Sequence, residues 1–419
     1  MSGRASERAS ERASERAPAL LWVNQFAVTP AQQGGTRHFE LGRELVRRGW
    51  DVTVAACDLN LHSRQYARRD HARATGDVDE VIDGVHFRWL WAAPYERNNW
   101  RRAHNWLSFS RRVWRWRGAR PDVVIGSSPQ LFAALASERL ARRWGVPFVF
   151  EVRDLWPESL LAAGGRRGAL YRVLERIARH LYARADRVVV LARGSADYLA
   201  ALGVDPGKIV VVPNGVDVSA FAAVARPARD ALTLVYTGAH GPANGLDAVL
   251  DAAELLGGRA DVGFVLVGDG PAKAALVADA SRRGLGNVEF RDPVPKHAMP
   301  ALLASVDAGL MVLRESPLFA FGVSPNKLFD YFGAALPVVC NVPGEVATMV
   351  RDAGAGEQAA DAGGRALADA VLRLAARPAS ERAALGGAGR AWVAREHDRP
   401  VLADRLDAVL RPLAARAAR

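Results

Sequence analysis

Residues 324–339 read SPNKLFDYFGAALPVV, and the fold of the whole chain turns on how this stretch is read. It has the pattern of a helix start followed by a buried strand. Ser324 is placed to cap the helix by accepting a bond from a free backbone N–H. Pro325 suits the first helical position, where its missing N–H costs nothing. Lys327 and Asp330 then fall three apart, on one helical face. Gly333 to Pro337 ends the helix, and Pro337-Val338-Val339-Cys340 continues as an apolar strand. A helix N-terminus with a lysine in its first turn attracts an anion. A carboxylate one turn deeper accepts bonds from a pair of sugar hydroxyls. Phosphate at the tip and ribose beside it describe a nucleotide, with Ser324, Asn326, Lys327 and Asp330 as candidate contacts. An ordinary amphipathic helix is the alternative from this stretch alone.

The chain around it has 419 residues, half of them hydrophobic, enough for two or perhaps three domains. Lys and Arg number 56 against 45 Asp and Glu, and the net charge of +11 favours anionic partners such as phosphorylated substrates, anionic lipid or nucleic acid. The two cysteines, Cys57 and Cys340, lie far apart with no histidine cluster nearby. That excludes a disulfide framework and a cysteine-built zinc site, and fits a reducing cytosol. No apolar run approaches the roughly 20 residues that span a bilayer, and the N-terminus has no hydrophobic signal core. Residues 5–16 are three copies of Ala-Ser-Glu-Arg. With no apolar face to bury, residues 1–17 are expected to form a disordered tail.

Order is expected from Pro18. Ala19 to Val23 reads as a buried strand, followed by a loop through Gly34-Gly35, a helix from Thr36 and a strand at Asp51 to Ala55. This strand, loop, helix, strand unit implies a parallel sheet. The double glycine lets backbone approach a ligand at the helix start. It lacks the GxGxxG pattern of dinucleotide sites, and a plain tight turn is the alternative. Asp77-Val78-Asp79 resembles a metal-holding aspartate pair but sits in a charged loop, so a solvated turn is expected and no metal site.

Residues 95–120, YERNNWRRAHNWLSFSRRVWRWRGAR, interleave eight arginines with aromatic residues. Trp106, Phe109, Val113 and Trp116 fall on one helical face. The expectation is a basic amphipathic helix on an anionic membrane, against a partly buried helix or nucleic-acid binding. Strands resume at Asp122 to Gly126 and at Pro147 to Val152, and the second runs into Arg153-Asp154-Leu155-Trp156-Pro157-Glu158. Acids at the C-terminal end of such a strand lie where an open α/β sheet places its site. The turn cluster Pro213 to Asp217, with a loose stretch to Asp230, marks a domain boundary. The alternation restarts at Leu232 to Tyr236, with candidate ligand loops at Thr237 to Gly245 and Gly268 to Pro271. The expected domains are 18–213, 214–390 and a terminal helix at 391–419.

The double glycine, PNGVD at 213–217, VGDGP at 267–271 and SPNKLFDYFGAALPVV, in that order, resemble the glycosyltransferases of family 4 with the GT-B fold. DLWPES at 154–159 and YTGAHGPANGLD at 236–247 look like the subgroup containing N-acetylfucosaminyl transferases of O-antigen and capsule assembly. The resemblance implies an α/β protein of two Rossmann-like doubly wound domains facing across a cleft, with the last helix returning to the first domain. It implies retaining transfer from a nucleotide sugar, a UDP-sugar, without a metal or other cofactor. It places Asp330 at the ribose, although glutamate is commoner there. A family carboxylate eight residues earlier is replaced by Gly322. A lysine after the first strand of the second domain is replaced by Asn244, and a first-domain histidine before an aspartate by Arg153.

On that basis Lys327, the helix start at 325–327 and the backbone of Gly238 to Gly241 stabilise the leaving diphosphate. Gly34 and Gly35 approach the diphosphate or the acceptor. The main chain from Arg291 to Val294 holds the base, and His240 contacts sugar or phosphate or is a structural loop residue. Asp154 and Glu158 orient the acceptor hydroxyl. The expected acceptor is a polyprenyl-diphosphate-linked saccharide, and the protein a cytoplasmic one, peripheral on the inner face of the plasma membrane. The rivals are a UDP-sugar 2-epimerase of the same fold and, more remotely, a nucleic-acid-binding protein.

Overall fold

The computed structural model describes residues 16–32, 34–61, 63–69, 75–96, 99–162, 165–221 and 231–417. Most of the four-residue repeat and the end of the stretch before Asp230 lie outside the described residues. The last arginine of the repeat lies inside them: Arg16 forms a fork on Asp122 at 2.8–2.9 Å, which ties this residue of the expected tail to the first unit. The chain divides into two compact units. The first runs to Leu191 and adds Ala196–Val212 and Ala403–Arg419; the second comprises Ala192–Ser195 and Pro213–Leu402.

The first unit holds an eight-stranded sheet in the order β3-β4-β2-β1-β5-β6-β7-β8. Its strands are β1 (Ala19–Val23), β2 (Asp51–Cys57), β3 (Val78–Ile82), β4 (Val85–Leu90), β5 (Val123–Ser127), β6 (Phe148–Val152), β7 (Arg187–Val190) and β8 (Ile209–Val211). All pairs are parallel except β3 with β4. The central strands are near-continuous apolar runs because helices cover both faces, as a parallel sheet requires. Val78 and Asp79 of the expected loop are in fact the start of the edge strand, with Asp77 just before it. Asp83 and Gly84 both take positive φ, 49° and 81°, which suits the primed turns that close two-residue hairpins. The aspartates are spent on arginines: Asp77 pairs with Arg112 at 3.0 Å and Asp79 with Arg88 at 2.7 Å.

The helix Trp100–Trp114 corrects the amphipathic reading. Phe109 and Val113 have no exposed surface, and Trp116 just beyond the helix is buried as well. The apolar face read as membrane-binding is therefore the face that packs into the domain. The residues left outside are Trp100, Leu107 and Trp114. Periodicity identifies an apolar stripe but does not say whether protein or lipid will cover it.

The second unit holds six parallel strands in the order β11-β10-β9-β12-β13-β14. They are β9 (Leu232–Thr237), β10 (Val262–Val267), β11 (Val288–Arg291), β12 (Ala308–Met311), β13 (Val338–Cys340) and β14 (Gly356–Gln358). Strand order reverses between β1 and β5 in the first sheet and between β9 and β12 in the second. Ligands of open α/β sheets bind outside the carboxyl ends of strands at such reversals. Each reversal marks a candidate site within its own unit.

Candidate active site

In the second unit the site is built on the helix Asn326–Gly333. Its inner face, Leu328, Phe329, Tyr331 and Phe332, is fully buried. The Tyr331 ring lies flat on β12 because Gly309 has no side chain; a Cβ there would run into the ring. The Tyr331 hydroxyl accepts the Thr237 amide at 2.9 Å, pinning the helix to the end of β9. Lys327, one turn earlier, is thereby delivered to the loop that follows β9. Its Nζ sits 4.0 Å from the centroid of the Tyr236 ring. A Cβ on Gly238 would be 3.6 Å from the same nitrogen, and Gly238 has φ +142°.

Two details of the helix start differ from expectation. Pro325 is the cap residue rather than the first helical one, and no side chain caps the helix. Ser324 points elsewhere: its Oγ accepts the Asn214 amide at 2.8 Å, and its carbonyl accepts Asn214 Nδ2 at 2.8 Å. Sequence spacing could not reveal a partner 110 residues away. The outcome leaves the first-turn N–H groups without a side-chain cap, and Asn326 beside them is exposed. Such a terminus, with a lysine in its first turn, is chemically suited to an anion.

Among the described residues no carboxylate lies within 4 Å of Lys327 Nζ. Burial pulls its ammonium down from 10.5 to about 7. Asp330 follows one turn deeper and is half-buried. Around them the loops after β9 and β10 cross at close range. A Cβ on Gly268 would collide with the Gly238 carbonyl, and one on Gly270 would come within 2.6 Å of the His240 carbonyl. Both glycines have φ above +150°.

His240 is locked by this crossing. Its amide donates to the Asp269 carbonyl at 2.8 Å and its carbonyl accepts the Ala272 amide at 2.9 Å. The ring is fully buried, and neither ring nitrogen has a partner. Burial, with Lys273 and Lys327 nearby, lowers its pKa and keeps it neutral. It packs between Tyr236 and Phe290, closed to any ligand in this conformation. Arg291 also differs from expectation. Its guanidinium folds onto Glu289 at 2.7–2.8 Å. Its carbonyl, expected to hold a base, already accepts the Gly268 amide at 3.2 Å and Lys273 Nζ at 3.2 Å. Lys273, which sequence reasoning passed over, thus stands beside His240, braced by Asp292 at 2.7 Å.

Gly322 has a physical explanation. It takes φ +72°, and a Cβ there would run into Glu345 Oε2 and come within 2.8 Å of the Ala192 Cβ. The Glu345 carboxylate fills that space and accepts the amides of Arg193 and Gly194 at 3.0 and 3.4 Å. A side-chain carboxylate at position 322 is incompatible with this packing.

In the first unit the residues beyond the ends of β1, β5 and β6 form a second cluster. Gly34 has φ +141°, and a Cβ on Gly35 would touch the Arg153 guanidinium at 3.5 Å. Ser128 Oγ accepts the amides of Arg153 and Asp154 at 2.8 and 3.1 Å, which fixes the turn that carries Asp154. Asp154 itself reaches solvent. Glu158 is not grouped with it. The Glu158 carboxylate accepts the hydroxyls of Tyr198 at 2.6 Å and Tyr171 at 3.3 Å.

Beneath this surface lies a buried charge network that sequence reasoning missed. Arg37 Nε lies 3.0 Å from Glu151 Oε1, and His38 Nε2 lies 3.2 Å from Glu151 Oε2. Ser127 Oγ donates to the same oxygen at 2.6 Å. Burial works to raise the Glu151 carboxyl, but Arg37 and His38 outweigh it and hold the group far below the usual carboxylate range. Burial lowers His38 to about 4, against the opposing pull of Glu151. The available signal was an arginine-histidine pair directly after Gly34-Gly35-Thr36, and a glutamate inside an otherwise apolar strand. Among the described residues no group of three His, Cys, Asp or Glu is placed to hold a metal ion.

Comparison with known proteins agrees with the two-unit organisation. Residues 34–215 match the model of a glycosyl transferase 4-like domain, and residues 231–377 that of glycosyl transferases group 1. The chain is 30% identical over 229 residues to the protein named colanic acid biosynthesis glycosyl transferase WcaI of Escherichia coli K12. That match covers 51% of this chain and 55% of WcaI, about half the relative's length. It is also 30% identical over 350 residues to a D-inositol 3-phosphate glycosyltransferase of Frankia alni, covering 74% of this chain and 81% of the relative. Among solved structures, HepE of Anabaena, crystallised with UDP and glucose, superposes with a TM-score of 0.67 at 14% identity. The superposition covers 94% of this chain and 100% of HepE. Both domain types are thus present, in order and over most of the sequence, and the chain belongs to the family-4 glycosyltransferases, enzymes of the GT-B fold.

Proposed function

We propose that the protein is a retaining transferase that moves a sugar from a UDP-sugar to a lipid-linked saccharide during synthesis of a cell-surface polysaccharide. The observation that carries this reading is the unpaired Lys327 ammonium, held over Gly238 at an uncapped helix start. A diphosphate placed there meets a cation, helix N–H groups and glycine backbone together, the set that stabilises a leaving nucleoside diphosphate. Asp330, one turn deeper, takes the ribose hydroxyls, and no metal or other cofactor is required. Asp154 orients the acceptor hydroxyl in the first unit. Support for the setting comes from relatives: WcaI is named for colanic acid biosynthesis, and HepE was crystallised with UDP. The test is a screen of nucleotide sugars against polyprenyl-diphosphate saccharides, with Asp330→Ala as control. The expected result is acceptor-dependent transfer that falls roughly tenfold or more in the variant. Turnover of donor alone to an epimerised nucleotide sugar, or full activity in Asp330→Ala, overturns the assignment.

The acceptor's lipid implies docking on the inner face of the plasma membrane, and the exposed residues support a revised docking surface. Trp100, 71% exposed, and Leu107 stand on the helix Trp100–Trp114, and Leu170 and Val173 on the helix Ala169–Arg184. Exposed arginines flank both sets: Arg101, Arg111 and Arg115 on one side, Arg166, Arg167 and Arg172 on the other. Apolar side chains among cations suit an anionic bilayer. Among the described residues no helix is long and apolar enough to cross a membrane. The double variant Trp100→Ser/Leu170→Glu is expected to weaken flotation with phosphatidylglycerol vesicles by about tenfold or more. Unchanged flotation, or none by the wild type, removes the membrane from the reading.

A further inference from the structure

The segment Ser324-Pro325-Asn326-Lys327 admits two helix starts. In one, Ser324 is the cap and Pro325 the first helical residue, the arrangement these residue types favour. The Ser324 carbonyl then accepts the Leu328 amide, and the Ser324 hydroxyl accepts the amide of Asn326 or Lys327. In the other, which the structure adopts, Pro325 stays extended at φ −80° and ψ 116°. The Leu328 amide there bonds the Pro325 carbonyl at 3.2 Å. The two starts differ in what faces the first turn: a serine hydroxyl in one, backbone N–H groups without a side-chain cap in the other.

Asn214 decides between them. Its Nδ2 donates to the Ser324 carbonyl and its amide to the Ser324 Oγ, both at 2.8 Å. The two oxygens that the longer helix needs are thus taken. Asn214 is buried and fixed from its other side. Its carbonyl accepts His397 Nδ1 at 3.0 Å. That imidazole is stacked between Phe329 of the site helix and Trp392, with centroids 4.4 and 4.8 Å away. The residues after Asn214 run along 397–399: the Val216 amide donates to the His397 carbonyl at 3.1 Å, and the Arg399 amide to the Val216 carbonyl at 3.0 Å. Gly215 permits this approach, since a Cβ there would collide with the His397 carbonyl. All of these residues belong to the second unit.

We infer that Asn214 is a positioning residue that keeps the helix start open by withholding Ser324 from capping it. A serine cap and a diphosphate compete for the same amides, those of Asn326 and Lys327. With the Asn214 side chain gone, the Ser324 carbonyl is free to accept the Leu328 amide, and the remaining backbone amide at position 214 competes alone for the hydroxyl. The hydroxyl then turns over the first turn, and the apparent affinity for a diphosphate falls with the fraction of protein that stays open. The ligand in this inference rests on the donor-site reading, whereas the choice between two helix starts does not.

Two measurements on the full chain test this: amide hydrogen exchange across residues 324–330, and titration with UDP. Asn214→Ala is expected to slow exchange at Asn326 and Lys327 about fivefold and to weaken UDP binding about fivefold. A variant that merely loosened the helix start would speed that exchange. Ser324→Ala in the Asn214→Ala background is expected to reverse most of both changes, because no hydroxyl remains to cap. Asn214→Asp keeps the side-chain shape and loses the Nδ2 donor, and it is expected to slow exchange in the same way should Asn214→Ala fail to fold. Faster or unchanged exchange in the Asn214 variants, or a weakening of UDP binding that Ser324→Ala does not relieve, overturns the inference. Slowed exchange that Ser324→Ala reverses, in a protein that UDP does not bind, leaves the role of Asn214 standing and overturns the donor-site reading instead.

Discussion

Replacing Lys327 with methionine is expected to lower transfer by roughly 100- to 1,000-fold while raising the melting temperature of the unliganded protein near pH 7. Both effects come from one feature, a cation held in a partly dehydrated place without a carboxylate. Burial lowers the lysine from 10.5 to about 7. Between those values the unfolded chain binds a proton that the folded chain does not. The stability cost is therefore fully present below pH 7 and is relieved as pH rises through 10.5. The Tyr236 ring beneath the ammonium and the remaining water access reduce the cost to about 2 kcal/mol. For a domain of this size that corresponds to roughly 4–8 °C. A nucleoside diphosphate reverses the balance because its charge restores the ammonium. UDP should thus raise the melting temperature of the wild type and leave Lys327→Met almost unmoved. The donor KM should rise as pH climbs above 7, where the free enzyme loses the proton. Thermal shift with and without UDP from pH 6 to 9, beside donor kinetics, measures all three. Equal UDP stabilisation in the two proteins would show that the diphosphate lies elsewhere.

The same lysine shows how far sequence reading carries. The spacing of Lys327 and Asp330 was legible because helical period and terminal chemistry are local properties. The parallel sheets were legible because apolar runs alternate with helical stretches at regular intervals. What proved illegible was long-range pairing. Ser324 looks like a cap until Asn214 claims it. Glu158 looks like a free carboxylate until two tyrosines enclose it. The arginine-tryptophan helix has a clear apolar stripe, yet Phe109 and Val113 bury that stripe in the protein rather than in lipid. In each case the residue type indicated a capacity, and a partner distant in sequence decided its use. Gly322 is the reverse case. Its lack of a carboxylate looked like a gap, and the fold shows the space filled by Glu345.

The Arg37–Glu151 pair carries the second large effect. Glu151→Ala is expected to destabilise the first unit by about 3–5 kcal/mol, because it removes the carboxylate that balances the buried Arg37 charge. The melting temperature should fall by roughly 10 °C. The double variant Arg37→Met/Glu151→Met should recover most of that loss, since an apolar pair of similar volume carries no unpaired charge. The acid limb of the stability curve carries the same signature. His38 is lowered from 6.5 to about 4, so the unfolded chain takes a proton first and stability is lost as pH falls through that range. Glu151, held far below its ordinary 4.5, adds a loss as pH drops below that value. Wild-type protein should therefore weaken steadily below pH 6.5, and Glu151→Ala should start lower with a shallower acid slope. Circular dichroism melts from pH 4 to 8 measure both. If removing Glu151 left the melting temperature unchanged, the network would not be the brace described here. The brace also bears on the first-unit cluster, because Arg37 and His38 follow directly on Gly34-Gly35-Thr36 and Glu151 lies two residues before Arg153. Destabilising it should raise the acceptor KM and leave UDP binding in the second unit intact, which separates loss of the first-unit cluster from loss of the donor site.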